Sequence, residues 1–285
     1  MIKDISTGVG TSTTPSGLAH ISAYVATSDL DNTVEYVYGG DLQGNLWRFN
    51  LMGNSSNSWD VEKIATLVDS ANVAQPITTV PELGVVQDKR MVFVGTGKYL
   101  GDTDIPAPLT TPQTQTFYGL VDDLSTAPLI SPLRSSLQQQ TFTTSADFLY
   151  RTASSTTVDY NTKKGWFIDL PDNGERSVTN PLLALGAIIF TSNIPSTDAC
   201  APGGSSWIYF LDYETGGFIA GSTVSWSGKS LGNALASEPV LITLEDGTKK
   251  ILVKESDGGT SVLDTPFPPS TSGVSRVSWR EIITE

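Results

Sequence analysis

The 285-residue sequence predicts an all-β fold, and three observations predict it. The first is the stretch 36–51, YVYGGDLQGNLWRFNL, in which β-branched and aromatic residues flank turn residues. Gly44-Asn45 is the expected turn, because Gly and Asn supply the positive φ that two-residue hairpin turns need. The second is recurrence of that unit. RMVFVGTGKYL (90–100) leads to TFYGLVDD (116–123), AIIFTSNIP (187–195) to SSWIYFLDYETGGFI (205–219), and KKILVKESDGGTSVLD (249–264) holds both arms in one run. The third is the lack of helical periodicity beside 26 Gly and 16 Pro, a composition suited to many tight turns. Unequal spacing between copies of one supersecondary unit means different insertions. Repeated antiparallel units of this size bury their faces against one another as the blades of a β-propeller. The expectation is a partial propeller of about four blade-like sheets, each of three or four antiparallel strands, with long loop insertions.

The segments follow from local composition. Residues 1–18 are rich in Gly, Ser and Thr and read as a lead-in loop. MGNSSNSWD (52–60) is a polar loop before the strand-like VEKIATLV (61–68). Three Pro in 101–114 exclude a regular element there. Residues 124–160 read as a long insertion carrying a strand pair, and Pro181–Leu185 as the start of a strand. TPFPPSTSG (265–273) is a linker before a final strand, VSRVSWREI. Trp47, Phe49, Phe93, Ile188, Phe190, Ile208, Phe210, Leu252 and Val262 are the expected inter-sheet core.

Seventeen basic against 30 acidic residues give a net charge of −13, which repels phosphate backbones and excludes nucleic acid as a favoured partner. No apolar run is long enough to span a bilayer. MIKDISTGVG has no apolar core after its Lys and is not a secretory leader. Cys200, the single cysteine, stays free or pairs outside the chain. His20 is the only histidine, so neither a nucleophilic triad nor a zinc site is supported, and the sequence does not read as an enzyme.

The strongest chemical candidate is the loop 27–35, TSDLDNTVE. Calcium takes hard oxygen ligands, supplied in a tight loop from positions 1, 3, 5, 7 and 9. That register selects Thr27, Asp29, Asp31, the Thr33 carbonyl and Glu35, with Asn32 at the sharp turn, where a left-handed backbone is tolerated. The competing reading is a solvated acidic turn before a strand. Other motifs are weaker. Gly95-Thr96-Gly97-Lys98 lacks the spacing of a phosphate loop, with Tyr99 where Ser or Thr must reach magnesium, and reads as a blade turn. Asp212-Tyr213-Glu214-Thr215-Gly216 has the D-x-x-T-G form of a tight structural turn. Of six Trp, those at 47, 166, 207 and 279 lie in strand patterns and belong to the core rather than to a sugar platform.

YGGDLQGNLWRFNL resembles the C-terminal domain of the PilY/PilC family of type IV pilus tip-associated proteins. GTGKYLGD (95–102) with QTFYGLVDD (115–123), IPSTDACAPGGSSWIYFLDYETGG (194–217) and SRVSWREI (275–282) resemble it in the same order, from about Gly17 onward. Family members are long secreted proteins with earlier blades, so the resemblance implies that 1–285 is the C-terminal portion of one propeller domain. It implies a non-enzymatic pilus biogenesis and tip-adhesin module on the surface of a Gram-negative bacterium, with minor or major pilins and a host or abiotic surface as partners. It also implies a calcium-biased balance of pilus extension and retraction, surface attachment and twitching motility. The family's calcium loop has the form D-x-D/N-x-D-x-x-x-D. Here Thr27 replaces the first carboxylate and Glu35 the last, which weakens affinity toward about 10⁻⁴ to 10⁻³ M. Two other classes share parts of the pattern. Quinoprotein propellers use D-x-x-T-G turns but follow them with Trp, where Phe218-Ile219 stand here, and carry vicinal cysteines; dye reduction discriminates them. A carbohydrate-binding propeller is discriminated by glycan arrays.

Overall fold

The computed structural model describes residues 3–26, 31–53, 55–105, 110–126, 128–129, 132–196 and 203–266. Its strands follow one another in chain order. β1 (Ile21–Tyr24), β2 (Tyr36–Gly40), β3 (Asn45–Asn50) and β4 (Asp60–Thr66) form a first antiparallel sheet in sequential order. β5 (Glu82–Val86), β6 (Lys89–Gly95) and β7 (Thr116–Asp122) begin the second. Three short strands follow, β8 (Gln138–Gln140), β9 (Phe142–Thr144) and β10 (Tyr150–Ala153), before β11 (Gly165–Asp169) rejoins the second sheet beside β7. The third sheet is built on β12 (Leu182–Ala184), β13 (Ala187–Pro195), β14 (Gly204–Asp212) and β15 (Gly228–Gly232). β16 (Val240–Thr243), β17 (Lys249–Lys254) and β18 (Thr260–Asp264) make the fourth. Among the described residues no helix is long and apolar enough to cross a membrane.

The recurring unit of the sequence is one hairpin in each sheet: β2–β3, β6–β7, β13–β14 and β17–β18. The sheets stack in series, because successive side chains on a strand point to opposite faces. On β6, Val92 and Val94 join Tyr38, Leu46 and Leu67 in a core shared with the first sheet. Met91 and Phe93 of the same strand join Ile188, Phe190, Tyr209 and Leu211 in a core shared with the third. On β13 and β14, Ile189, Ile208 and Phe210 turn the other way and meet Ile251, Val253 and Leu263 of the fourth. Phe117 stacks on Phe190 across the second junction at 4.0 Å between ring centres.

Three expectations are corrected. Val262 is 58% exposed and Leu252 half-buried, not core. Ile251 and Leu263 pair across the ladder and face the third sheet, so the neighbouring pair Leu252–Val262 takes the opposite face. The first hairpin turns at 41–44, and Asn45 already belongs to β3. Asp41 sets that turn: its Oδ1 accepts from the amides of Gln43 and Asn45 at 2.9 Å, and its Oδ2 from the Trp47 indole at 2.9 Å. Gly44, at φ 78, lies where a Cβ would come within 2.7 Å of the Gln75 carbonyl, so glycine is required there by both backbone and space. Finally, two sheets exceed four strands, and one of them, the second, is not wholly antiparallel. β8 adds parallel to β11, while β10 crosses to pair with β15 and carries β9 with it, giving a six-stranded third sheet in the order β12-β13-β14-β15-β10-β9.

This crossing strap is pinned by Arg151 of β10, which is fully buried. Its guanidinium lies 3.7 Å over the Trp207 ring and donates to Glu175 at 2.9 and 3.0 Å, with Asp172 at 2.5 Å. Glu175 Oε1 also accepts from Ser192 and from the Tyr209 hydroxyl, each at 2.5 Å. Removing one partner of such a pair strands the other charge without water. Glu175→Ala should therefore cost about 3–5 kcal/mol, whereas Val262→Ser on the exposed face should stay within about 0.5 kcal/mol. Chemical denaturation of both variants checks this; equal losses would mean that the strap is not held by the ion pair.

Candidate functional site

The loop joining β1 to β2 contains the predicted ligand set. Its base is fixed by continuation of the ladder: Tyr24 pairs with Tyr36, the Glu35 amide donates to the Tyr24 carbonyl at 3.1 Å, and the Leu51 amide to the Glu35 carbonyl at 2.9 Å. Thr27 and Asp29 lie outside the described residues. Asp31 and Thr33 are exposed and Glu35 is half-buried at the start of the hairpin. Asp31 Oδ1 accepts from the Thr33 hydroxyl at 2.6 Å and from the Thr33 amide at 2.9 Å, a local turn typical of Asp before Thr. Those two bonds hold the Asp31 carboxyl below the usual carboxylate range. Asp31, the Thr33 carbonyl and Glu35 are hard oxygen donors, the chemistry that suits calcium or magnesium rather than zinc. Among the described residues no three His, Cys, Asp or Glu side chains group closely enough to hold a metal by themselves. The donors described so far make a partial set.

Behind the loop stands a charged network that ties the first sheet to the second. Arg90 of β6 lies 3.8 Å over the Tyr24 ring and 4.6 Å over the Tyr36 ring, the two residues that close the loop. Its guanidinium also donates to the Tyr38 hydroxyl at 3.2 Å, which in turn donates to Asp122 Oδ2 at 2.6 Å. Arg48 of β3 bridges Asp122 and Glu62. Burial first, and the Asp122 charge second, push the Tyr38 hydroxyl far above the usual phenol range, so it remains a donor. Sequence reasoning passed over Arg48, Arg90 and Asp122. The available signal was a basic residue inside each of two apolar strand runs, LWRFN and RMVFV.

The other motifs resolve as structure. In the D-x-x-T-G turn, Asp212 Oδ1 accepts from the amides of Glu214 and Thr215 and from the Thr215 hydroxyl, at 2.8–3.0 Å. In the Gly95–Lys98 segment, the Gly97 amide donates to the Pro76 carbonyl at 2.8 Å and Thr78 donates to the Gly97 carbonyl at 2.9 Å. It is a junction between the first two sheets. Trp47, Trp166 and Trp207 are buried, whereas Trp279 and Cys200 lie outside the described residues.

Sheets stacked face to face, each grown around a hairpin whose neighbour supplies half its core, define a β-propeller domain. The profile of the PilY1 beta-propeller domain matches residues 1–155. The chain is 32% identical to the type IV pilus biogenesis factor PilY1 of Pseudomonas aeruginosa strain PAO1, over 76% of its own length and 23% of that protein. A PilY1 homolog of Xylella fastidiosa is likewise 32% identical, over 76% of this chain and 16% of the relative. The crystal structure of the P. aeruginosa PilY1 C-terminal domain superposes with a TM-score of 0.72 at 28% identity, covering 92% of this chain and 62% of that one. The chain belongs to the PilY1 family, of whose curated full-length relatives it spans about a quarter or less.

Arg90 couples the loop to the second sheet, and its removal should be felt at the loop. Arg90→Gln should lose about 1–2 kcal/mol of local stability and raise hydrogen exchange at the Glu35 amide about tenfold. Exchange read residue by residue, with the Leu252 amide as control, checks this; unchanged protection at Glu35 would mean that the ring contacts carry no coupling.

Proposed function

We propose that this chain is the C-terminal propeller portion of a type IV pilus biogenesis factor, acting by surface contact rather than by catalysis. The observation that carries the reading is the 32% identity to PilY1 across 76% of the chain, together with the shared fold. On this reading the parent protein sits at the pilus tip on the outside of a Gram-negative cell and meets minor or major pilins. It adheres to host or abiotic surfaces and supports the extension and retraction that drive twitching. The direct experiment replaces the corresponding segment of P. aeruginosa PilY1 with this chain. Restored surface pili and twitching support the reading; a stable, exported chimera without pili refutes it.

Calcium enters this proposal through the loop 27–35. Thr27, Asp29, Asp31, the Thr33 carbonyl and Glu35 would hold the ion, and an ion that binds one loop conformation better biases whatever surface the loop adjoins. The Asp31–Thr33 bonds favour the charged carboxylate that an ion needs, while the Thr33 hydroxyl competes for one of its oxygens. Calcium at ten times Kd should stabilise the fold by about 1.4 kcal/mol, a rise in melting temperature of about 3 °C. Asp31→Ala should abolish the shift and Thr27→Asp enlarge it. The Asp31 carboxyl sits below its ordinary range, so the calcium response should be complete at neutral pH and disappear as acid protonates it. A melting series that is flat with calcium in the parent chain at neutral pH would leave an acidic turn and no metal site.

A further inference from the structure

Basic side chains gather around a cleft of about 270 Å³ between the β5–β6 turn, the end of β7 and the segment before β11. Lys89, Arg90, Lys163 and Lys164 line it, four of the 17 basic residues in a chain of net charge −13. Asp88, Asp122 and Asp123 line it too, but two of these carboxylates are already engaged. Asp122 takes Arg48, the Tyr38 hydroxyl and, at 2.9 Å, the Leu124 amide. Asp123 takes Lys164 at 2.9 Å and the Ser125 amide at 3.0 Å. The other three cations have no carboxylate partner among the described residues. The Lys89 ammonium makes no ion pair or hydrogen bond there, and the Lys163 ammonium donates once, to the Ser135 carbonyl at 3.1 Å. Arg90 meets two rings and a phenol, and its Nε is buried without a hydrogen-bond partner. Against these three stands Asp88 alone.

The rim is also strained. Asp88 and Leu124 both line the cleft in the left-handed region, at φ 61 and 60. A bulky residue such as Leu keeps that conformation only where the surroundings over-determine it, and such residues cluster at ligand clamps. We propose that this cleft binds a small oxyanion carrying two or three negative charges, a phosphate or a tricarboxylate, through Lys89, Lys163 and Arg90. A concave site with an excess of one sign focuses the field that draws counter-ions. Ammonium and guanidinium groups give oxyanions the strong, charge-assisted class of hydrogen bond. The volume lies just under that of drug-sized pockets, which keeps the ligand small. A divalent cation is the wrong guest, because the described residues hold no cluster of three metal-binding side chains. The inference is independent of the pilus assignment.

The test is equilibrium dialysis of the full chain, without calcium, against labelled phosphate, citrate or a polyglutamate peptide, with ionic strength held constant by sodium chloride. Phosphate or citrate should bind, and the tighter of the two names the source as a phosphate or a carboxylate group. Lys89→Gln and Lys163→Gln should each weaken that binding about tenfold, the worth of one hydrogen bond to a charged group. Lys249→Gln, at an exposed lysine outside the cleft, should leave it unchanged. Thermal melting of each variant confirms that it folds. Parent-like affinity in both cleft variants overturns the site. No binding of either small anion at about 10 mM, well above a millimolar Kd, overturns it as well. Tighter binding of the polyglutamate peptide than of both small anions overturns the small ligand in favour of an acidic protein segment.

Discussion

Everything in this fold rests on sheets that are apolar on both faces. A single strand such as β6 sends Met91 and Phe93 to one neighbour and Val92 and Val94 to the other, so no interior sheet has a wet side. A sheet built this way cannot be stable alone, since half of its core belongs to the next. The consequence is serial dependence. The loop before β2 and the hairpin turn at Asp41 are positioned only because the sheets are stacked in register.

Polar groups at the sheet junctions follow from the same constraint. Arg48 and Arg90 reach across the first junction and Arg151 pins the crossing strand β10, and each meets a carboxylate, a tyrosine or an aromatic face. An apolar contact tolerates sliding, whereas a guanidinium seated between fixed acceptors does not. These residues define how one sheet sits on the next, and in the first junction they connect an exposed loop to the interior of the second sheet.

Much of the fold was legible because period-two alternation is a property of sequence. The four recurring hairpins and the burial of Trp47, Phe93, Ile188 and Phe210 follow from it directly, and the Asp212 turn from its D-x-x-T-G spacing. Face assignment failed only in the fourth sheet, where Leu252 and Val262 are as apolar as their neighbours Ile251 and Leu263, and parity alone decides which pair is covered. The first turn was misplaced because Gly44-Asn45 has the right composition, while the side-chain bonds of Asp41 select the residues before it. The crossing of β10 onto β15 was beyond reach, since pairing between segments as far apart as Arg151 and Gly228 leaves no local trace. Within the candidate site the acidic spacing at 29–35 was visible, but the aromatic clamp by Arg90 depends on a strand of another sheet.

The strap formed by β9 and β10 changes how the molecule answers to pulling. The chain leaves the second sheet after β8, adds two strands to the edge of the third, and only then returns as β11. Tension that would otherwise peel a sheet away one strand at a time must instead load the β10–β15 ladder and the buried Arg151 contacts together. Two neighbouring sheets thereby yield as one mechanical element, with a single large barrier in place of several small ones.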